Sequence, residues 1–114
     1  MSPITTHVLD TSTGKPAPGV AVLLEIHDGP DRWKELGRGV TDVNGRISAF
    51  NPPLAALERQ VYRLRFSTGD YFAASHVRTF YPEVSVVVKI QDTTQHYHIP
   101  LLLSPFGYST YRGS

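Results

Sequence analysis

Four stretches of this chain carry side chains that could do chemistry. His96 and His98 are two residues apart in an otherwise apolar run, and in an extended chain that spacing puts both imidazoles on one face. Two such imidazoles can ligate zinc if a third ligand joins them, and His7 is the candidate. They can equally move protons near neutral pH, which is general acid–base chemistry. His7 sits in the middle of the β-branched stretch 4–11, where a lone histidine can also be a hydrogen-bonded structural residue. Arg46 follows Asn44-Gly45 directly. A cation there is either a solvated turn residue or a planar donor aimed into a cleft mouth. The end, Tyr111-Arg112-Gly113-Ser114, would fray unless something holds it. Strand-forming residues run almost to Ser114, so the end is expected to be held, bringing Ser109, Tyr111 and a free Ser114 carboxylate beside the imidazoles.

The elements that must position these groups follow from alternation. Residues 96–103 read as a strand with Tyr97, Ile99, Leu101 and Leu103 on one face and His96, His98, Pro100 and Leu102 on the other. The second face carries no charge, so a cover from another subunit is expected over it. A Ser104-Pro105-Phe106-Gly107 turn leads to a last strand, with Tyr108 and Thr110 expected on the core side. Earlier strands are expected over 4–11, 20–27, 33–41, 46–50, 61–68 and 84–90. On the first, Thr5, His7 and Leu9 oppose Ile4, Thr6 and Val8. Residues 12–19 read as turn throughout, and Asn44-Gly45 is the strongest hairpin signal. A helix is expected over 70–76, and a single helical turn over 54–59. The pattern predicts an all-β fold: an antiparallel two-sheet sandwich of about eight strands with one short helix.

Length and composition narrow the function classes. A chain of 114 residues is sized for one domain, residues 1–114. A formal net charge of +1 gives no bulk attraction to nucleic acid or to an anionic membrane. The absence of cysteine excludes disulfides, thiolate chemistry and Cys-ligated zinc. No basic-then-apolar leader, membrane span or peroxisomal tripeptide is legible, which makes cytoplasm the expected location.

Three motifs resemble a known family. They are Thr6-His7-Val8-Leu9-Asp10-Thr11 with Gly14-Lys15-Pro16-Ala17, then Thr41-Asp42-Val43-Asn44-Gly45-Arg46, and the run from Tyr97-His98-Ile99-Pro100-Leu101-Leu102-Leu103-Ser104-Pro105 to Tyr108-Ser109-Thr110-Tyr111-Arg112-Gly113-Ser114. The chain resembles the 5-hydroxyisourate hydrolases, the enzyme branch of the transthyretin-like proteins, over essentially its whole length. The terminal Tyr-Arg-Gly-Ser is what sets that branch apart from transthyretin itself.

The resemblance implies a homotetramer, a dimer of dimers around a channel, with His7, Arg46, His98 and Ser114 as catalytic residues. His7, Arg46, Ser109 and Tyr111 would then contact the substrate. The implied reaction is hydrolytic opening of the six-membered ring of 5-hydroxyisourate, a step in urate breakdown, with no cofactor and no metal. Either His7 or His98 could be the base. The competing reading is a non-enzymatic transthyretin-like carrier of a small ligand, which would want a more apolar channel. An immunoglobulin-like adhesion module would call for secretion and an exposed terminus, and nothing in the sequence favours either.

Overall fold

The computed structural model describes residues 2–114. In chain order its elements are β1 (Ile4–Asp10), β2 (Lys15–Pro16), β3 (Ala21–His27), β4 (Trp33–Val40), β5 (Arg46–Ile47), β6 (Val61–Phe66), helix α1 (Thr68–Ala74), β7 (Val84–Lys89), β8 (Tyr97–Ser104) and β9 (Gly107–Thr110). They form two sheets. One runs β2-β1-β8-β9, with β5 also on β1, and the other runs β4-β3-β6-β7. The inward faces are those that alternation selects: Ile4 and Val8 on β1, Ile99, Leu101 and Leu103 on β8, Val22, Leu24 and Ile26 on β3, Tyr62, Leu64 and Phe66 on β6. All eleven are buried in one core between the sheets. The two-sheet sandwich with a single short helix stands as expected.

Several expectations are corrected in detail. Among the described residues every strand pairing is antiparallel except one: β1 runs parallel to β8, with Thr5 opposite His98 and His7 opposite Pro100. The turn-rich stretch 12–19 contains the short strand β2, which pairs with the end of β1. The strand expected over 46–50 stops at Ile47. The helix begins at Thr68 rather than Asp70 and ends at Ala74.

No helical turn forms over 54–59. Leu57 is drawn into the core, and the Glu58 N–H donates to the Tyr62 hydroxyl at 2.9 Å instead of to a carbonyl one turn back. Tyr108 and Thr110 are exposed rather than core-facing. β9 is the edge strand of its sheet, and Thr110 borders an open cleft against Val86 and Val88 of β7; its hydroxyl donates to the Pro100 carbonyl at 2.6 Å. Tyr108 packs edge-on against Tyr81, ring centroids 5.2 Å apart.

On the outer side of the second sheet Glu25 is nonetheless buried. Arg63, its cross-strand partner, donates to it at 2.7 Å and also lies 4.2 Å over the Trp33 ring. That charged face is internally satisfied. His7, Arg46 and His98 all lie on the other sheet. Among the described residues no helix is long and apolar enough to cross a membrane.

Candidate active site

The hairpin turn before β5 decides where Arg46 goes. Asp42 closes an Asx turn, its carboxylate accepting the backbone N–H groups of Asn44 and Arg46, each at 2.9 Å. Gly45, at φ +74°, then passes so close to β1 that a β-carbon there would lie 2.4 Å from the Val8 carbonyl oxygen. The Val8 N–H donates to the Gly45 carbonyl at 2.7 Å, and Arg46 pairs with His7 in the β1–β5 register. Only a glycine allows that approach, and the approach is what sets a guanidinium beside an imidazole.

His98 arrives from the opposite side of β1. Its register partner is Thr5, whose hydroxyl oxygen lies 2.8 Å from His98 Nδ1 and 3.1 Å from His96 Nε2. Thr5 itself is buried. Thr5, Thr6, Arg46, Ile47, Ser48 and His96 line a hollow of about 180 Å³ next to these rings. Beyond His98, Gly113 closes the row: its N–H donates to the His98 carbonyl at 2.8 Å. One sheet face therefore carries Arg46, His7, Thr5, His98 and Gly113 from three strands and the end segment.

The electrostatics of the two half-buried imidazoles differ in kind. Burial and then the Arg46 charge hold His7 below its ordinary value, but the Asn44 backbone and the Asp42 carboxylate pull the other way. His98 is also held low, first by burial, then by Arg46, His7 and His96, with nothing acting to raise it. Arg46 thus favours the neutral form of both rings.

The remaining expected residues are placed less centrally in one chain. Ser109 lies on β9 opposite Leu102 and is exposed. Tyr111 is exposed and borders a separate cleft with Val86 to Gln91 of the facing sheet. Among the described residues neither side chain hydrogen-bonds to His7, Arg46 or His98. Ser114 is exposed and follows the Gly113–His98 bridge. The end segment is held, as expected, by that bridge and by Arg112, which lies 4.5 Å over the Tyr97 ring. Among the described residues no group of three or more His, Asp or Glu side chains is arranged to hold a metal ion. His96 and His98 converge instead on the Thr5 hydroxyl. Thr5 was missed by residue-type reasoning; its shared face with His7 was the available signal.

Comparison with known proteins settles the lineage. The model of the HIUase/Transthyretin family matches residues 4–113. The chain belongs to the HIUase/transthyretin family. Within that family it is 50% identical over 111 residues to the 5-hydroxyisourate hydrolase of Salmonella typhimurium, covering 97% of this chain and 80% of the relative. The structure of Klebsiella pneumoniae 5-hydroxyisourate hydrolase superposes with a TM-score of 0.84 at 37% identity, covering 97% of this chain and 98% of that one. Sea bream transthyretin in complex with thyroxine superposes with a TM-score of 0.88 at 30% identity, covering 97% and 94%. The same sandwich is therefore shared by a 5-hydroxyisourate hydrolase and by a transthyretin in complex with thyroxine, so the fold alone does not separate the two.

Proposed function

We propose that residues 1–114 act as one transthyretin-like hydrolase domain that opens the six-membered ring of 5-hydroxyisourate, giving 2-oxo-4-hydroxy-4-carboxy-5-ureidoimidazoline. The observation that carries this reading is the row Arg46–His7 and Thr5–His98 on one sheet face, two neutral-leaning imidazoles beside a guanidinium. Such a lining suits a polar, nitrogen-rich heterocycle. An apolar hormone would leave these groups desolvated and unpaired.

His98 is the better base, because every neighbour that acts on it favours the neutral ring. It takes a proton from water at Nε2 as the water oxygen attacks the ring carbonyl. The oxyanion formed is held by the Arg46 N–H donors. The C–N bond then breaks, and His7 gives a proton to the departing ring nitrogen. Of the two rings His7 suits that role better, because the Asn44 backbone and Asp42 partly offset the burial and the Arg46 charge that hold it low. The proton gained by His98 restores His7 through solvent, so the cycle closes with one water consumed. Two imidazoles and a guanidinium supply every function the step needs, so this reading uses no metal and no cofactor. Ser109, Tyr111 and Ser114 complete the substrate contacts.

The same reading makes the working unit a homotetramer, a dimer of dimers. Its support is the set of large apolar side chains left exposed on one chain, Phe80, Phe106, Tyr108 and Tyr111 among them, together with the unpaired outer edges of β7 and β9. A second subunit over the imidazole face would convert it from a sheet surface into a groove and bring Ser109 and Tyr111 against the substrate. The test is ultraviolet absorbance of freshly generated 5-hydroxyisourate with and without the protein. Acceleration over the spontaneous decay supports the reading, and an unchanged decay defeats it.

A further inference from the structure

The Thr5 hydroxyl faces two imidazole nitrogens and has only one hydrogen to give. Its oxygen is 2.8 Å from His98 Nδ1 and 3.1 Å from His96 Nε2. A hydroxyl offers one donor and two acceptor sites, and a neutral imidazole offers one nitrogen of each kind. The two rings are the hydroxyl's neighbours, so with the Thr5 hydrogen given to one of them, both contacts made and both rings neutral, only two arrangements satisfy all three groups. Either Thr5 donates to His96 Nε2 and accepts from His98 Nδ1–H, or it donates to His98 Nδ1 and accepts from His96 Nε2–H. In the first, both rings carry hydrogen on Nδ1; in the second, both carry it on Nε2. One buried hydroxyl therefore ties the tautomers of two histidines together.

We propose that Thr5 is a positioning residue for the reaction: its hydroxyl accepts the Nδ1–H of His98 and donates to His96 Nε2, which leaves the Nε2 lone pair of His98 free. The choice between the two arrangements rests on the hydrolase reading, since a base working at Nε2 needs that lone pair. When His98 Nε2 takes the proton of the attacking water, Nδ1–H already points at Thr5, so the imidazolium forms with no rearrangement of its partner. In the other arrangement Nε2 carries a hydrogen, and the ring would have to exchange tautomers before every turnover.

Sheet geometry keeps the hydroxyl where it is needed. Thr5 is the register partner of His98 on the parallel neighbour strand and is buried. A β-branched residue there has restricted χ1 freedom, which holds the oxygen between the two rings. His96, exposed at the end of the row, supplies the acceptor that keeps the Thr5 hydrogen turned away from His98.

The test is long-range ¹H–¹⁵N NMR of the ¹⁵N-histidine-labelled protein at about pH 8, above the ordinary imidazole value, joined to steady-state kinetics of Thr5→Val and Thr5→Ser. The expected wild-type spectrum shows His98 and His96 both with a protonated Nδ1 and an unprotonated Nε2. Thr5→Val, nearly isosteric, should move His98 toward the Nε2–H form and lower kcat at least about tenfold. That is short of the ~10⁴ lost when a buried triad histidine is held wholly in the wrong tautomer. KM should stay within about twofold, because the ground-state contacts are not Thr5's. Thr5→Ser should restore both the spectrum and kcat.

A wild-type His98 with hydrogen on Nε2 overturns the proposal, as does a Thr5→Val protein with unchanged tautomer and kcat. Should Thr5→Val not fold, the wild-type and Thr5→Ser spectra decide alone. A protein that shows the expected tautomers yet fails to hydrolyse 5-hydroxyisourate supports the hydrogen-bond assignment and defeats only the hydrolase reading.

Discussion

The α-carbon of Gly113 lies against the imidazole of His98: a β-carbon built there would stand 2.7 Å from His98 Cδ2 and 3.3 Å from Cβ and Cγ. Together with the N–H that Gly113 donates to the His98 carbonyl, this makes the end segment one wall of the His98 site. Gly113→Ala must push the ring away from Thr5 or lift the segment off β8. Misplacing a reacting group by about 1 Å can cost on the order of 10²-fold. Gly113→Ala is therefore expected to lower kcat by up to about that factor while the urea unfolding midpoint stays in place. Unchanged kcat would show that the end segment does not position His98.

How much of this was legible in the sequence depends on which interactions are local. Alternation alone separated Tyr97, Ile99, Leu101 and Leu103 from His98 and Leu102, because a strand's period is fixed by its backbone. Asn44-Gly45 announced the turn that aims Arg46. The parallel pairing of β1 with β8 was not legible, since nothing in either strand encodes the direction of a neighbour ninety residues away. Thr5 was hidden for the same reason. A threonine in a strand is ordinary, and only the register reveals that its oxygen reaches two imidazoles. The failed helical turn at 54–59 was a propensity overridden by burial of Leu57.

The pH dependence follows from the direction of the two imidazole shifts. His7 and His98 are both held below the ordinary value of 6.5. The base is active when neutral and the acid when protonated, so kcat/KM should fall on acidification, with that midpoint below 6.5, and fall again at higher pH as His7 gives up its proton. The same shifts act on stability. In the window between the lowered folded values and 6.5 the unfolded chain binds more protons, so these two groups make stability rise with pH there and add no further dependence above it. A kcat/KM profile flat from about pH 5 to 8 would remove histidine from the base role.

Tyr71 ties the helix to the first sheet, and its removal should be felt as stability. Its hydroxyl donates to Asp10 Oδ2 at 2.8 Å, and burial, then Asp10, push the phenol up to about 12. Asp10 is buried. Tyr71→Phe leaves that carboxylate oxygen without its partner, which costs about 1–3 kcal/mol. Urea denaturation should show the loss, with kcat unchanged at a temperature where the variant is folded. Equal stability would mean that water replaces the phenol at no cost.

Assembly is tested by mass. Light scattering at micromolar concentration is expected to report four chains. Charged substitutions at exposed Phe106 and Tyr111 should lower that mass and kcat together, because the groove needs its second wall. A fully active monomer would contradict the shared groove.

The most direct measurement is the rate of 5-hydroxyisourate loss, followed by absorbance, for the wild-type protein and for His98→Asn and His7→Asn at equal concentration. Asparagine keeps a polar group of similar reach, so both variants should fold. The expected result is that each lowers kcat by about two to four orders of magnitude, the span for losing a positioned acid or base, while His96→Asn lowers it far less. Wild-type turnover that survives either substitution at His7 or His98 undiminished would contradict the account.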